Sequence, residues 1–182
     1  MRPALSRHDK LLRQVIADHD GRVFSAMGDG LAAAFGSAAA AVSAAIAAQR
    51  SLEAQPWPTE TPLRVRMGLH TGEAEWRDGD YFGTAVNRAA RLMAIGHGGQ
   101  VLCSATAAEL VGDTQLSLTD LGEHRLRDLD RPLHVFQIGA EGLPMEFPRL
   151  RTVDAAPGNL PVLSTSFVGR DGEVAEHNTC PP

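Results

Sequence analysis

The sequence predicts a mixed α/β (α+β) domain, a sheet with helices packed on one side of it. Three features carry this reading. Helical stretches alternate with short strand-like runs, glycine-bearing turns join several of those runs, and 182 residues at 43% hydrophobic content hold one core plus a short tail.

Leu5, Leu12, Val15 and Ile16 recur at helical spacing, so residues 3–19 read as a helix with Gly21 as its stop. Two apolar runs then flank Gly28-Asp29-Gly30, the pattern of a β-hairpin with one carboxylate at its tip. Ser37 caps an alanine-rich helix to about Ala54, buried through Val42 and Ile46 and ended by Pro56 and Pro58. From Leu63 to Ala74, Leu63, Val65, Met67 and Leu69 alternate with Arg64, Arg66 and His70, which predicts a half-buried strand running into an Asp78-Gly79 turn. Ala85–Ile95 is a helix with Val86, Ala89, Ala90 and Met93 on its apolar face. Gln100–Cys103 reads as a strand and Ala105–Val111 as a short helix capped by Ser104; Leu116–Leu121, His124–Leu126 and Leu133–Ile138 complete the strands.

The net charge of −5 and the scattered arginines form no basic stripe, so direct nucleic-acid binding is not expected. Cys103 and Cys180 have no metal-spaced companions, which predicts neither a disulfide framework nor a zinc site and suits a reducing cytoplasm. Leu31–Ala48 is too rich in alanine, and too broken by Gly36, Ser37 and Ser43, for a membrane span. The charged N-terminus has no apolar core and does not read as a signal peptide.

Function is most legible in Asp80-Tyr-Phe-Gly-Thr-Ala-Val-Asn-Arg-Ala-Ala-Arg91, where Asn87 and Arg91 lie four apart near a helix start. A planar amide and a guanidinium beside free helix N–H groups suit a sugar oxygen and a phosphate. The same spacing suits a solvated surface helix, and spacing alone does not choose. Asp29 and Asp80 likewise suit turns in their own right.

Four segments taken together resemble the catalytic domain of class III adenylate and guanylate cyclases. They are Met27-Gly28-Asp29-Gly30, Gly68-Leu69-His70-Thr71-Gly72, Gly83-Thr84-Ala85-Val86-Asn87 with Arg91, and Gly122-Glu123-His124-Arg125-Leu126-Arg127, in the family's order over residues 1–139. The resemblance implies a ferredoxin-like core and cyclisation of ATP to cyclic AMP and pyrophosphate, with Mg2+ or Mn2+ as the metal pair. It implies a dimer, homomeric or with another cyclase domain, because family sites are shared between two domains. By position it assigns Asp29 to metal, Asn87 to the ribose, Arg91 to the pentavalent phosphorus, Arg127 to the terminal phosphates, and Ser25 and Asp80 to the purine edge.

Arg127 and Ser25 stand where the family usually has lysine; arginine keeps the charge and changes its geometry. A carboxylate at Asp80 accepts from the 6-amino group of adenine and repels the 6-oxo group of guanine, which favours ATP. The family's other metal aspartate lies on a strand upstream of the first helix, for which this sequence has no residues. A sheet without its first strand, and low activity for this chain alone, are therefore expected. The alternatives are a non-catalytic module for dimerisation or nucleotide sensing, or a remnant of a transcriptional regulator. Residues 140–182 read as a proline-rich linker, and Leu160–Arg170 resembles the entry to the NTPase module that follows cyclase domains in multidomain regulators, without its P-loop.

Overall fold

The computed structural model describes residues 2–111 and 116–152. The segment resembling an NTPase entry lies outside them. Helix α1 (Arg2–Asp18) ends on Asp20 at φ 58°, with the Gly21 amide donating to Ile16 O at 2.8 Å. Strands β1 (Arg22–Met27) and β2 (Gly30–Ala34) follow as a hairpin turning on Gly28, whose φ of 62° is the reason for a glycine there. Helix α2 (Ala38–Glu53) is capped by the Ser37 side chain, which accepts from the Ala40 amide at 3.1 Å.

After α2 the expected long strand is only partly realised. Leu63, Val65 and Met67 alternate in burial with Arg64 and Arg66 as predicted, but the paired strand is β3 (Met67–Leu69) alone. The chain then forms a second free-standing hairpin, β4 (Glu75–Arg77) and β5 (Asp80–Phe82), whose turn has Asp78 and Gly79 both at positive φ, as a type I′ turn requires. Helix α3 (Thr84–Ile95), β6 (Val101–Ser104) and α4 (Ala105–Val111) follow. The two strands expected at 116–126 are one, β7 (Ser117–His124), with a bulge between Asp120 and Gly122; β8 (Leu133–Gly139) pairs with it.

The main sheet has the order β3-β6-β8-β7, with β3 and β6 parallel and the other pairs antiparallel. Helices cover both of its faces, not one. Val101 and Cys103 of β6 join Val42 and Ile46 of α2 and Ala107 and Val111 of α4 in one core. Leu102 points the other way, to Leu92 and Ile95 of α3. All four residues of β6 are buried for that reason, and a run buried on both sides does not reveal by its period which helix lies where. A third cluster, Leu12 with Ala48 and Leu52, fixes α1 to α2.

The segment read as linker begins with packed chain. Leu150 is buried with Leu92 and Leu102, the Arg151 amide donates to Ile95 O at 3.0 Å, and Gln137 Nε2 donates to Met145 O at 2.7 Å. Residues 140–152 thus clasp the end of α3 without any regular element. Among the described residues no helix is long and apolar enough to cross a membrane.

Gly68 sets where α3 lies. A Cβ on it would fall inside contact distance of the Met93 amide nitrogen, 2.8 Å from Met93 Cα and 2.9 Å from Ala89 O, all backbone. Gly68→Ala is expected to push α3 off β3 and lower stability by about 1–3 kcal/mol. Urea unfolding checks this; an unchanged midpoint would mean the helix yields without cost.

Candidate active site

Helix α3 is the platform of the site. Its N-cap, Gly83, sits at φ 124° and gives no side-chain cap, so the first amides of the helix are left to other partners. Leu92 and Ile95 form the buried stripe, while Ala90, expected on it, is exposed. Asn87 is exposed, with its amide donating to Gly83 O at 3.3 Å. Arg91, one turn on, keeps 41% of its side chain exposed.

Arg127 reaches the same place through the core. Leu126 is buried in the cluster that contains Leu92, and the turn it anchors closes with the Leu129 amide donating to Leu126 O at 3.3 Å. The neighbours of these two leucines, Arg127 and Arg91, are thereby held side by side. Asp128 lies between them. Its Oδ2 accepts from Arg91 Nη2 at 2.5 Å and is 4.0 Å from Arg127 Nε. The sequence reading missed Asp128, although its acidic side chain next to Arg127 is the local signal.

Ser25 and Asp80 occupy adjoining hairpins. Phe24 meets Tyr81 edge-on with ring centroids 5.1 Å apart, and Tyr81 also packs on Trp76 at 4.6 Å, with the Arg22 guanidinium over the indole at 4.6 Å. Phe24 is the extra residue of a bulge in β1, so the in-out alternation resets just before Ser25. Asp80 is half-buried and its Oδ1 accepts from the Tyr81 amide at 2.7 Å, leaving Oδ2 for another donor. Asp29 is exposed at the tip of the first hairpin. Among the described residues no group of three or more His, Cys, Asp or Glu could hold a metal ion. Asp29 is part of no such group, and no step is assigned to a metal.

Ser104, expected to cap α4, does something else. Its fully buried hydroxyl lies 2.7 Å from His70 Nδ1 and 2.9 Å from Thr106 Oγ1, and Thr106 donates to Thr71 O at 3.3 Å. This network fixes the chain that runs from β3 beneath the start of α3. Burial, and after it the nearby Arg88 guanidinium, pull the His70 pKa below its ordinary value, so the imidazole is neutral at pH 7. Burial pushes the Cys103 thiol up to about 12, which makes it an inert core residue.

Residues 1–139 match the family described as "Adenylate and Guanylate cyclase catalytic domain". The chain belongs to that family. An uncharacterised protein of Mycobacterium tuberculosis is 39% identical over 181 residues, covering 96% of this chain; the chain spans 61% of that relative's length. Among solved structures, an adenylate cyclase from Trypanosoma brucei in its monomeric state superposes with a TM-score of 0.76 at 27% identity, over 84% of this chain and 85% of that one. The adenylyl cyclase CyaB from P. aeruginosa gives 0.68 at 25% identity, over 76% and 82%. The cyclase domain thus has the mixed α+β fold of its structural relatives.

His70 makes the cyclase domain sensitive to acid. Its folded pKa lies below the unfolded value of about 6.5, so the folded state binds fewer protons in the window between them. The stability it contributes is fully present above about pH 6.5 and is lost as pH falls through the lowered folded value. Thermal melts from pH 7.5 down to 5 should show the fall, and His70→Asn should flatten it; parallel pH profiles for the two proteins would contradict this.

Proposed function

We propose that this cyclase domain grips ATP for cyclisation to cyclic AMP and pyrophosphate, as the nucleotide-holding half of a site completed by a second cyclase domain. The observation that carries the reading is the approach of Arg91 and Arg127 on either side of Asp128, set by Leu92 and Leu126 in a common core, with Asn87 one turn before Arg91 on the same helix. In this reading Asn87 orients the ribose, Arg91 takes the charge that develops at the α-phosphorus, and Arg127 holds the terminal phosphates. Asp80, with Ser25 on the adjoining hairpin, reads the adenine edge, and the free Oδ2 of Asp80 suits an amino group.

Cyclase domains of this class generally use divalent metal ions, and Asp29 is the residue of this chain proposed to serve one. The family resemblance puts the companion aspartate on a strand ahead of α1. Among the described residues the β1–β2 hairpin pairs only with itself and β3 pairs on one side only, which leaves edges such a strand could take. A lone exposed carboxylate also favours a second reading, a domain that binds nucleotide or a partner without turnover.

Equilibrium binding and product assays separate the two. The chain is expected to bind ATP about tenfold more tightly than GTP, the scale of one charge-assisted hydrogen bond, and Asp80→Ala should erase the difference. With Mg2+ or Mn2+ the chain alone should form little cyclic AMP. Robust turnover lost in Asp29→Ala would overturn the half-site reading, and equal affinity for ATP and GTP would overturn the role given to Asp80.

A further inference from the structure

Asp128 is placed to compete with substrate. The residue sits at φ 59°, a left-handed conformation that Asp and Asn tolerate better than other non-glycine residues, at the turn that Leu126 anchors under α3. Its carboxylate occupies the guanidinium of Arg91 at 2.5 Å and stands 4.0 Å from Arg127 Nε. Two cations and one anion leave one net positive charge at this spot, enough to attract an anion while the Arg91 guanidinium is already hydrogen-bonded. The cluster is open to solvent, with 41% of Arg91, 62% of Asp128 and 82% of Arg127 exposed, so an incoming polyanion can reach it.

Resting on the nucleotide-gripping reading above, we propose that Asp128 is a positioning residue. It is an internal counter-anion that keeps Arg91 and Arg127 together in the nucleotide-free chain and yields them to the phosphates of the substrate. A carboxylate offers the guanidinium fork one negative charge; a triphosphate offers several, and displaces it by charge. Asp128 keeps the arginine pair assembled before substrate arrives and weakens its hold on any singly charged anion.

The test uses inorganic tripolyphosphate as the probe, measured calorimetrically against the full chain at low salt. Asp128→Asn keeps the left-handed turn and the side-chain shape while removing the competing charge. It should bind tripolyphosphate about 2- to 5-fold more tightly, the scale of an exposed ion pair. Arg91→Ala should weaken binding, and adding Asp128→Asn to it should restore less than half of the gain seen in the wild-type background. The gain should also shrink as NaCl rises from about 20 mM to about 0.5 M. If Asp128→Asn does not fold, Asp128→Gly, which takes the same backbone conformation freely, carries the same expectation.

Unchanged or weaker binding by the Asp128 variant, with Arg91→Ala still weakening it, would overturn the counter-anion role and leave the nucleotide site standing. A gain that persists at 0.5 M salt would also overturn it, by pointing to altered packing. If Arg91→Ala has no effect on binding, the nucleotide-gripping reading fails and the role of Asp128 with it.

Discussion

The close approach of α3 to β3 across Gly68 is the contact on which the rest of the site depends. With no side chain at that position, the Met93 and Ala89 backbone lies directly on the strand. Leu92 and Ile95 can then reach Leu102 and Val135 on that face of the sheet. Gly72 repeats the device on a smaller scale, since a Cβ there would come within 3.1 Å of Ala85 Cβ and 3.3 Å of His70 Nε2. Two glycines and a neutral, half-buried histidine therefore seat the start of α3, and Asn87 and Arg91 inherit their positions from it.

The charged part of the site is assembled by its apolar part. Arg91 and Arg127 repel each other, and each is long and exposed, so neither would hold a fixed place unaided. Leu92 and Leu126 supply the fixed points, and Asp128 offsets the repulsion. The docking of residues 140–152 through Leu150 and the Ile95 carbonyl closes the same core from the other end of α3. Protein-wide, the cations that matter here are placed by leucines one residue away from them.

Much of this was readable in the sequence because its causes are local. Gly28, the Asp78-Gly79 pair and Ser37 mark turns and a cap that depend on a few residues each, and all three stand as expected. The positions of Asn87 and Arg91 on one helix needed only a period of 3.6. Sequence reasoning stopped at causes that are distant along the chain. The Arg91–Asp128 pair spans 37 residues and leaves no periodic trace, and the hydroxyl of Ser104 chose His70 over the helix it precedes. Helices on both faces were missed because β6 is buried on both sides and lacks an in-out alternation, and the bulge in β7 broke one strand into two on paper. The docking of residues 140–152 rests on the buried Leu150 and on single hydrogen bonds to main-chain carbonyls from Gln137 and His97, distant partners that composition does not record.

On the reading proposed above, this chain contributes the nucleotide-gripping half of a shared site. The most direct measurement mixes it with an intact cyclase domain whose own ribose-orienting asparagine and phosphate-binding arginine are mutated, and follows cyclic AMP. Activity should return, fall by ~10³-fold or more with Arg91→Ala in this chain, and change little with Asp29→Ala, because the partner then supplies the metal ligands. Absence of cyclic AMP although the two chains co-elute as a heterodimer would contradict it.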